Sequence, residues 1–124
     1  MAAAITAQSA VKPVNTLSDS VRKVVWLLEG SSLVLSGDTG PLHVARALDR
    51  PVVGLYGYTN PKRSGPYRKY EDLVVDGYAR FAGEEYEASP VYRPEGMQRV
   101  SVDATLEKLA YAMERYVLVR GSTP

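Results

Sequence analysis

The side chains best suited to chemistry lie together in the stretch SGDTGPLHVARALDRP, residues 36–51. An acid, a hydroxyl, a glycine and a proline follow one another from Asp38 to Pro41, and His43 comes shortly after them. The apolar run that follows predicts a helix that begins inside this motif. A hydroxyl, an imidazole and the unpaired N–H groups of a helix start can together bind a phosphate or pyrophosphate.

Each residue of the motif has a physical reason to lie at such a site. A helix starting near Pro41 presents N–H groups without partners and the positive end of its dipole. Proline is tolerated there because the N–H that it lacks would have had no partner. Gly40 has no side chain to keep a ligand from the backbone. Thr39 offers a hydroxyl and His43 a further donor, so the predicted diphosphate-binding residues are Thr39, Gly40, Pro41 and His43.

Asp38 does not fit a bare anion site, since a carboxylate repels phosphate. We expect it to order the site by accepting hydrogen bonds from backbone N–H groups of the turn, or from a sugar hydroxyl. Taken alone, the same motif is also typical of a turn before a capped helix that binds no ligand. A single histidine in a first helical turn is more often solvated or structural than functional. Spacing therefore predicts a candidate anion site and leaves the plain turn open.

The composition excludes several classes of protein. The chain has 124 residues, enough for one domain. Its 15 basic and 14 acidic residues leave a net charge of +1, which gives no indication of a nucleic-acid partner. No cysteine is present, so disulfides, thiolate metal sites and cysteine nucleophiles are excluded. No signal peptide and no run near the roughly 18 apolar residues of a membrane span is found, so we expect a cytoplasmic protein.

The hydrophobic pattern predicts the elements that must position the motif. A cap at Thr16 followed by apolar residues at helical spacing from Leu17 to Leu28 predicts a helix that stops at Gly30. Three short apolar runs are typical of buried strands: residues 33–35, 51–56 and 73–75. A second helix is expected over residues 41–48, between the first two strands.

The remaining segments complete an α/β alternation. Residues 57–67 predict a Gly/Pro loop, and residues 76–99 are polar and irregular. Ser101 or Asp103 caps a last helix, whose apolar stripe is predicted as Leu106, Leu109, Ala110, Met113 and Val117. This order predicts a mostly parallel sheet flanked by helices. Because ligands of such sheets bind beyond the carboxyl ends of the strands, the motif lies at the expected edge.

Two long segments resemble the signature of the heptosyltransferase family of glycosyltransferases: DTGPLHVARAL at 38–48 and PVVGLYG at 51–57. TNPKR at 59–63 with GPY at 65–67, and GMQRVSVD at 96–103, are similar to later segments of that family. The resemblance covers roughly residues 15–119. It implies part of the C-terminal domain of a GT-B fold, a Rossmann-like unit that binds a nucleotide-sugar, with residues 1–14 and 120–124 as tails.

The resemblance also implies a function. Members transfer heptose from ADP-heptose to a lipopolysaccharide-core acceptor by inversion, without a bound metal, and we expect no cofactor besides the ADP-sugar substrate. Thr39, Gly40 and His43 would contact the donor diphosphate, with Asp38 ordering the site. Further loop contacts are expected from Thr59, Lys62 and Arg63. The family's N-terminal domain, which carries the catalytic base and the acceptor surface, has no counterpart here, so the acceptor would bind through a missing domain and no catalytic residue is assigned.

Two functions of different classes stay open. The first is the donor-binding portion of a heptosyltransferase-like enzyme, and this portion alone is not expected to transfer sugar. The second is a non-catalytic α/β nucleotide-binding or oligomerisation module derived from the same fold. Because about three strands is near the lower limit for a stable sheet and an exposed strand edge invites pairing, we expect a homodimer or a strand-swapped oligomer.

Overall fold

The computed structural model describes residues 2–14, 16, 20–65 and 69–118. Its centre is a three-stranded sheet with the order β1-β2-β3. The strands are β1 (Val34–Gly37), β2 (Val52–Tyr56) and β3 (Val74–Asp76). The α-helices are α1 (Ala2–Gln8), α2 (Val21–Glu29), α3 (Gly40–Ala47), α4 (Pro61–Ser64) and α5 (Val102–Ala112). The predicted tail at residues 120–124 lies outside the described residues.

The sheet is parallel throughout. Leu35 of β1 lies beside Val53 of β2, and Leu55 of β2 lies beside Val75 of β3. The helix α3 packs against β1 and β2, and α5 packs against β2 and β3. The central strand β2 is the most buried, with Val52, Val53 and Tyr56 fully inaccessible to solvent. The predicted α/β fold with a parallel sheet flanked by helices is therefore confirmed.

The first predicted helix is shorter than expected at its amino end. The sequence predicted a cap at Thr16, but Ser20 has an extended backbone and the helix begins at Val21, while residues 17–19 lie outside the described residues. The cap is Ser20, whose hydroxyl accepts a hydrogen bond from the backbone N–H of Lys23 at 3.4 Å. Both serine and threonine suit a cap position, so local composition did not choose between them. The predicted stop at Gly30 is confirmed.

The predicted loop at residues 57–67 contains the short helix α4, which is a correction. Asn60 caps it: its side-chain oxygen accepts from the Lys62 N–H at 2.8 Å, and Pro61 occupies the first helical position. The Asn60 side chain is almost fully buried and its amide donates to the Glu87 carbonyl at 2.8 Å. Residues 66–68 of the same loop lie outside the described residues.

The packed face of α5 also differs from the predicted stripe. Leu106 and Met113 are 56% and 38% exposed, and Ala110 is exposed as well. Leu109 is the member that packs against the core, and Val117 is half-buried. The residues that face the core are Ala104, Leu109, Ala112 and Tyr116. The predicted stripe was wrong at Leu106, Ala110 and Met113, because apolar residues occur on more than one face of the helix and helical spacing does not select among them.

Polar contacts with Asp72 fix the orientation of α5. Asp72 precedes β3 in a 3₁₀ turn, Glu71–Leu73. Lys108 donates to its carbonyl at 2.8 Å, and the hydroxyls of Tyr111 and Tyr116 donate to its carboxylate at 3.0 and 2.9 Å. A π-helical turn, Met113–Leu118, continues α5 and carries Tyr116. In the part of the chain that the structure describes, no helix has both the length and the apolar character needed to cross a membrane.

The polar stretch after β3 is held by Arg93. Its guanidinium pairs with Glu84 at 2.8 Å, donates to the Tyr78 carbonyl at 2.6 Å and lies 4.1 Å from the centre of the Tyr78 ring. The hydrogen bond from Arg93, together with one from the Arg80 N–H, lowers the pKa of Glu84. The predicted irregular character of this stretch is confirmed as far as residue 95, where a 3₁₀ turn, Gly96–Arg99, follows.

That 3₁₀ turn lies directly against the carboxyl end of β2. A Cβ atom added to Gly96 would lie 1.7 Å from the Gly57 carbonyl oxygen, and one added to Gly57 would lie 2.4 Å from the Met97 nitrogen. Only glycine allows the two backbones to approach this closely. The contact fastens the irregular stretch to the edge of the sheet where the strands end.

Candidate functional site

The DTGP motif lies at the junction between β1 and α3. The strand ends at Gly37, Asp38 and Thr39 form the connection, and α3 begins at Gly40 with Pro41 in its first turn. Thr39 occupies the cap position with an extended backbone, φ −139° and ψ 171°. The predicted placement of the motif, at a helix start beyond the carboxyl end of a strand, is therefore what the structure shows.

The start of α3 leaves backbone donors available. The Thr39 side chain does not cap the helix; its hydroxyl instead lies 3.2 Å from the Ser36 hydroxyl. Among the described residues, no acceptor is found for the Gly40 N–H. A Cβ atom on Gly40 would meet no atom within 4 Å beyond its chain neighbours and the backbone of its own helix, so there is open space on the side where a side chain would lie. Gly40 is itself exposed, and an unpaired N–H on an exposed residue at the positive end of a helix suits an anionic ligand.

Asp38 binds two side chains through its two carboxylate oxygens. Its Oδ1 lies 3.1 Å from Nε2 of His43, and its Oδ2 accepts from the Ser64 hydroxyl at 2.8 Å. The Asp38 side chain is only 16% exposed, whereas that of His43 is 49% exposed. The partners are thus a histidine and a serine, where the sequence indicated backbone N–H groups or a ligand hydroxyl. The carboxylate joins the first turn of α3 to α4.

Ser64 is anchored in turn to the core. Its carbonyl accepts from the hydroxyl of Tyr56 at 3.0 Å, and Tyr56 is the last residue of β2. Burial, and secondarily the charge of Asp38, raise the pKa of the Tyr56 phenol well above its ordinary value. Tyr56 therefore stays protonated and continues to donate to Ser64 at physiological pH.

The predicted loop contacts lie on or beside α4. Lys62 donates to the Tyr86 carbonyl at 2.6 Å, and its ammonium lies 4.2 Å from the centre of the Tyr86 ring. Arg63 is exposed. Together with Lys62 and Asp76 it lines a cavity of about 580 Å³. Thr59 is half-buried in the turn before the helix. The role of these three residues in donor binding stays a prediction.

The sequence did not single out Ser36, Tyr56 or Ser64 as members of the site. Ser64 and Asp38 are separated by 26 residues, so no local spacing relates them. One signal was available nearby, because Asn60 followed by Pro61 is typical of a capped helix start. Reading that pattern would have predicted α4, although not the direction in which Ser64 points.

No cluster of metal-binding side chains is found among the described residues. No group of three or more histidine, aspartate or glutamate side chains is placed to hold a metal ion in residues 2–14, 16, 20–65 and 69–118. The expected absence of a metal and of any other cofactor stays a prediction.

Comparison with known proteins decides the family. The family model for glycosyltransferase family 9 (heptosyltransferase) matches residues 2–86, which include the whole DTGP motif and α4. This chain belongs to that family. The resemblance read from the sequence is thereby confirmed, and the sheet and helices are consistent with part of a Rossmann-like GT-B domain. The predicted division into tails and a domain at residues 15–119 stays a prediction.

Curated members of glycosyltransferase family 9 are similar over part of their length. The lipopolysaccharide core heptosyltransferase OpsX of Haemophilus influenzae is 39% identical over 83 residues, covering 66% of this chain and 24% of that protein. Lipopolysaccharide heptosyltransferase 1 of Salmonella typhimurium is 46% identical over 50 residues, covering 40% of this chain and 16% of that protein. Lipopolysaccharide heptosyltransferase 2 of the same organism is 39% identical over 60 residues, covering 47% of this chain and 17% of that protein. The matches span at most 24% of these relatives. No solved structure matches the chain.

Proposed function

We propose that this chain is the donor-binding part of a cytoplasmic lipopolysaccharide heptosyltransferase and holds the diphosphate of ADP-heptose at the start of α3. Membership of the heptosyltransferase family supports heptosyl transfer in lipopolysaccharide synthesis as the reaction class. The observation that carries the assignment to this site is the Gly40 N–H, which has no acceptor among the described residues and belongs to an exposed residue at the start of α3.

The electrostatics of the site suit a diphosphate. The Gly40 N–H and the positive end of α3 attract negative charge. The exposed imidazole of His43 adds a polar group in the first turn. Asp38 would repel the ligand if it were unpaired, but both of its oxygens already accept hydrogen bonds. The carboxylate can therefore shape the site while part of its charge is offset.

The same arrangement suits the leaving group in glycosyl transfer. The bond between the anomeric carbon of the sugar and the diphosphate oxygen breaks, and the acceptor hydroxyl oxygen bonds to that carbon from the opposite side. Its proton goes to a base that we expect on another part of the enzyme. Negative charge grows on the departing diphosphate, and preformed N–H donors stabilise it. In this proposal the chain binds the donor and stabilises the leaving group.

Nucleotide titration by calorimetry tests the proposal. We expect ADP to bind more tightly than AMP, and AMP more tightly than adenosine, because affinity depends on the phosphates. Gly40→Ala places a methyl group in the open space before the helix, and Gly40→Val fills more of it, so ADP should lose its advantage while the fold is kept. Gly30→Ala, a matched glycine substitution at the C-terminal end of α2, is the control. Equal binding of ADP and adenosine would overturn the proposal.

A second candidate is the non-catalytic nucleotide-binding or oligomerisation module. The observation that favours it is the position of β1 at one edge of the described sheet, with Leu35 47% exposed. Both candidates allow ADP binding, so the measurement that distinguishes them is heptose transfer to an acceptor. Within a longer enzyme that carries an acceptor site, Gly40→Val should abolish transfer from ADP-heptose, followed as the increase in acceptor mass. Unaltered transfer in that variant would favour the module.

A further inference from the structure

We propose that Ser64 is a positioning residue for the donor site, which acts through Asp38 to select the tautomer and the orientation of the His43 imidazole. The inference rests on the proposed function, in which the first turn of α3 receives a diphosphate. Ser64 lies on α4, after β2, whereas Asp38 and His43 lie around the start of α3, after β1. The serine therefore connects two neighbouring strand ends.

The Ser64 hydroxyl has one proton and two acceptors within reach. The Asp38 Oδ2 atom lies at 2.8 Å and the Asn60 carbonyl oxygen at 3.3 Å. A hydrogen bond to an ionised acceptor is shorter and roughly twice as strong as a neutral one. The proton is thus directed to Asp38, and this carboxylate oxygen is held in place.

The position of Ser64 is itself tightly determined. Its carbonyl accepts from the hydroxyl of Tyr56, and its backbone N–H donates to the Asn60 carbonyl at 3.1 Å. Tyr56 is fully buried and Asn60 is 3% exposed. The hydroxyl is therefore presented from a rigid part of the fold, which is what a positioning group requires.

Fixing one oxygen of Asp38 directs the other towards His43. An ionised carboxylate only accepts hydrogen bonds, so a neutral imidazole must carry its proton on Nε2 to bind Oδ1 at 3.1 Å. Nδ1 is then the ring atom left for a ligand: it accepts while the ring is neutral, and it can donate to a phosphate oxygen only when the ring is protonated, with Nε2–H still bound to Oδ1. Without the Ser64 bond, the Asp38 side chain can rotate, and the preference for the Nε2–H tautomer weakens. The orientation of the His43 ring on α3 thus depends, through Asp38, on the position of Ser64 on α4.

Nitrogen NMR of the histidine ring tests the inference without any ligand. The chain contains one histidine, so the two-bond proton–nitrogen spectrum of the ¹⁵N-labelled protein reports on His43 alone. At a pH where the ring is neutral, we expect the Nε2–H form in the wild-type protein and a mixture of tautomers in Ser64→Ala. Ser31→Ala removes a matched hydroxyl that donates to the Leu27 carbonyl, and should leave the spectrum unchanged.

Two further measurements keep the test decisive. If Ser64→Ala fails to fold, Ser64→Cys keeps a group of similar size that is a weak donor, and the same shift in tautomer is expected. In folded variants, Ser64→Ala should weaken ADP binding about three- to tenfold, but should have no further effect in a His43→Ala background. Two results would overturn the inference. One is an unchanged tautomer in both Ser64 variants. The other is a loss of ADP affinity on Ser64→Ala that is as large in the His43→Ala background as in the wild-type protein.

The outcomes also separate this inference from the function on which it rests. If wild-type protein binds ADP no better than adenosine, the proposed function fails, whatever the spectra show. If ADP binds preferentially and Gly40→Val removes that preference while Ser64→Ala leaves both tautomer and affinity unchanged, the proposed function stands and the positioning role of Ser64 is wrong.

Discussion

Asp38 shows how a carboxylate can lie beside the start of α3, where we propose that an anion binds. Its two oxygens are bound by His43 and Ser64, and the side chain is mostly buried. Donors on both oxygens offset part of its negative charge and fix its orientation. At the scale of single residues, the proposed function assigns the ordering of the site to this carboxylate and the contacts with the ligand to the exposed imidazole and the Gly40 N–H.

Tyr56 gives a prediction for stability at alkaline pH. The folded state raises the pKa of its phenol, chiefly by burial, above the unfolded value of about 10. Below pH about 10 the phenol is neutral in both states, so its contribution to stability is fully present. At higher pH the unfolded chain loses this proton first, and the free energy of unfolding falls.

We therefore expect Tyr56→Phe to reduce the loss of stability as the pH rises from about 10 to about 11, measured by urea unfolding. At pH 7 the variant should be less stable by about 1 kcal/mol, because the Ser64 carbonyl loses its donor. Tyr92→Phe removes an exposed phenol and is the control. An identical pH dependence in Tyr56→Phe and the wild-type protein would contradict the prediction.

At the scale of elements, the connections after β2 carry the specific contacts. The cap at Asn60 forms α4, which brings Ser64 to Asp38. The 3₁₀ turn Gly96–Arg99 packs against Gly57, just beyond the same strand end. Segments far apart in the chain therefore meet at the carboxyl edge of the sheet and stiffen the surroundings of the candidate site.

The glycine contact predicts a strong and local sensitivity to substitution. Gly96→Ala would place a methyl carbon 1.7 Å from the Gly57 carbonyl oxygen, and since both partners are backbone, the turn must move away from the strand. We expect a loss of about 3 kcal/mol or more in the free energy of unfolding. Gly40→Ala, where nothing lies within 4 Å, is the matched control and should change it little. Equal thermal midpoints for the two variants would rule out this tight contact.

At the scale of the whole molecule, β1 is an edge strand of the described sheet. Val34 donates its N–H to the Pro51 carbonyl in the connection to β2, so the backbone groups of Leu35 point away from β2. The Leu35 side chain is 47% exposed as well. This edge carries both the unpaired backbone groups and the apolar side chain that favour pairing with another strand.

The expected homodimer follows from that edge and is still a proposal. We expect a mass above that of the 13.6 kDa chain in light scattering at high concentration. Leu35→Lys should shift the protein towards the monomer, because a charge at an edge opposes strand pairing. Val102→Lys, at an exposed apolar residue on α5, should not. A wild-type monomer at high concentration with a cooperative melt would disprove pairing through β1.

The sequence by itself determined the fold class, the family and the placement of the motif. Residues 33–35 and 51–56 predicted strands because short, β-rich apolar runs have few other stable solutions. Pro41 and the apolar residues after it placed a helix start directly beyond the first strand. These features depend on neighbours within a few residues, so they can be read along the chain, and the family motif is equally local.

Only the tertiary structure decided which side chains complete the site and which helix face packs. Ser64 reaches Asp38 across 26 residues of sequence, and the hydroxyls of Tyr111 and Tyr116 reach Asp72 across 39 and 44. These polar contacts lie beside the packed face of α5, which the apolar spacing of the helix alone does not specify. Such choices depend on how separate elements dock, and the free energy of docking is shared among many distant contacts, which no local pattern records.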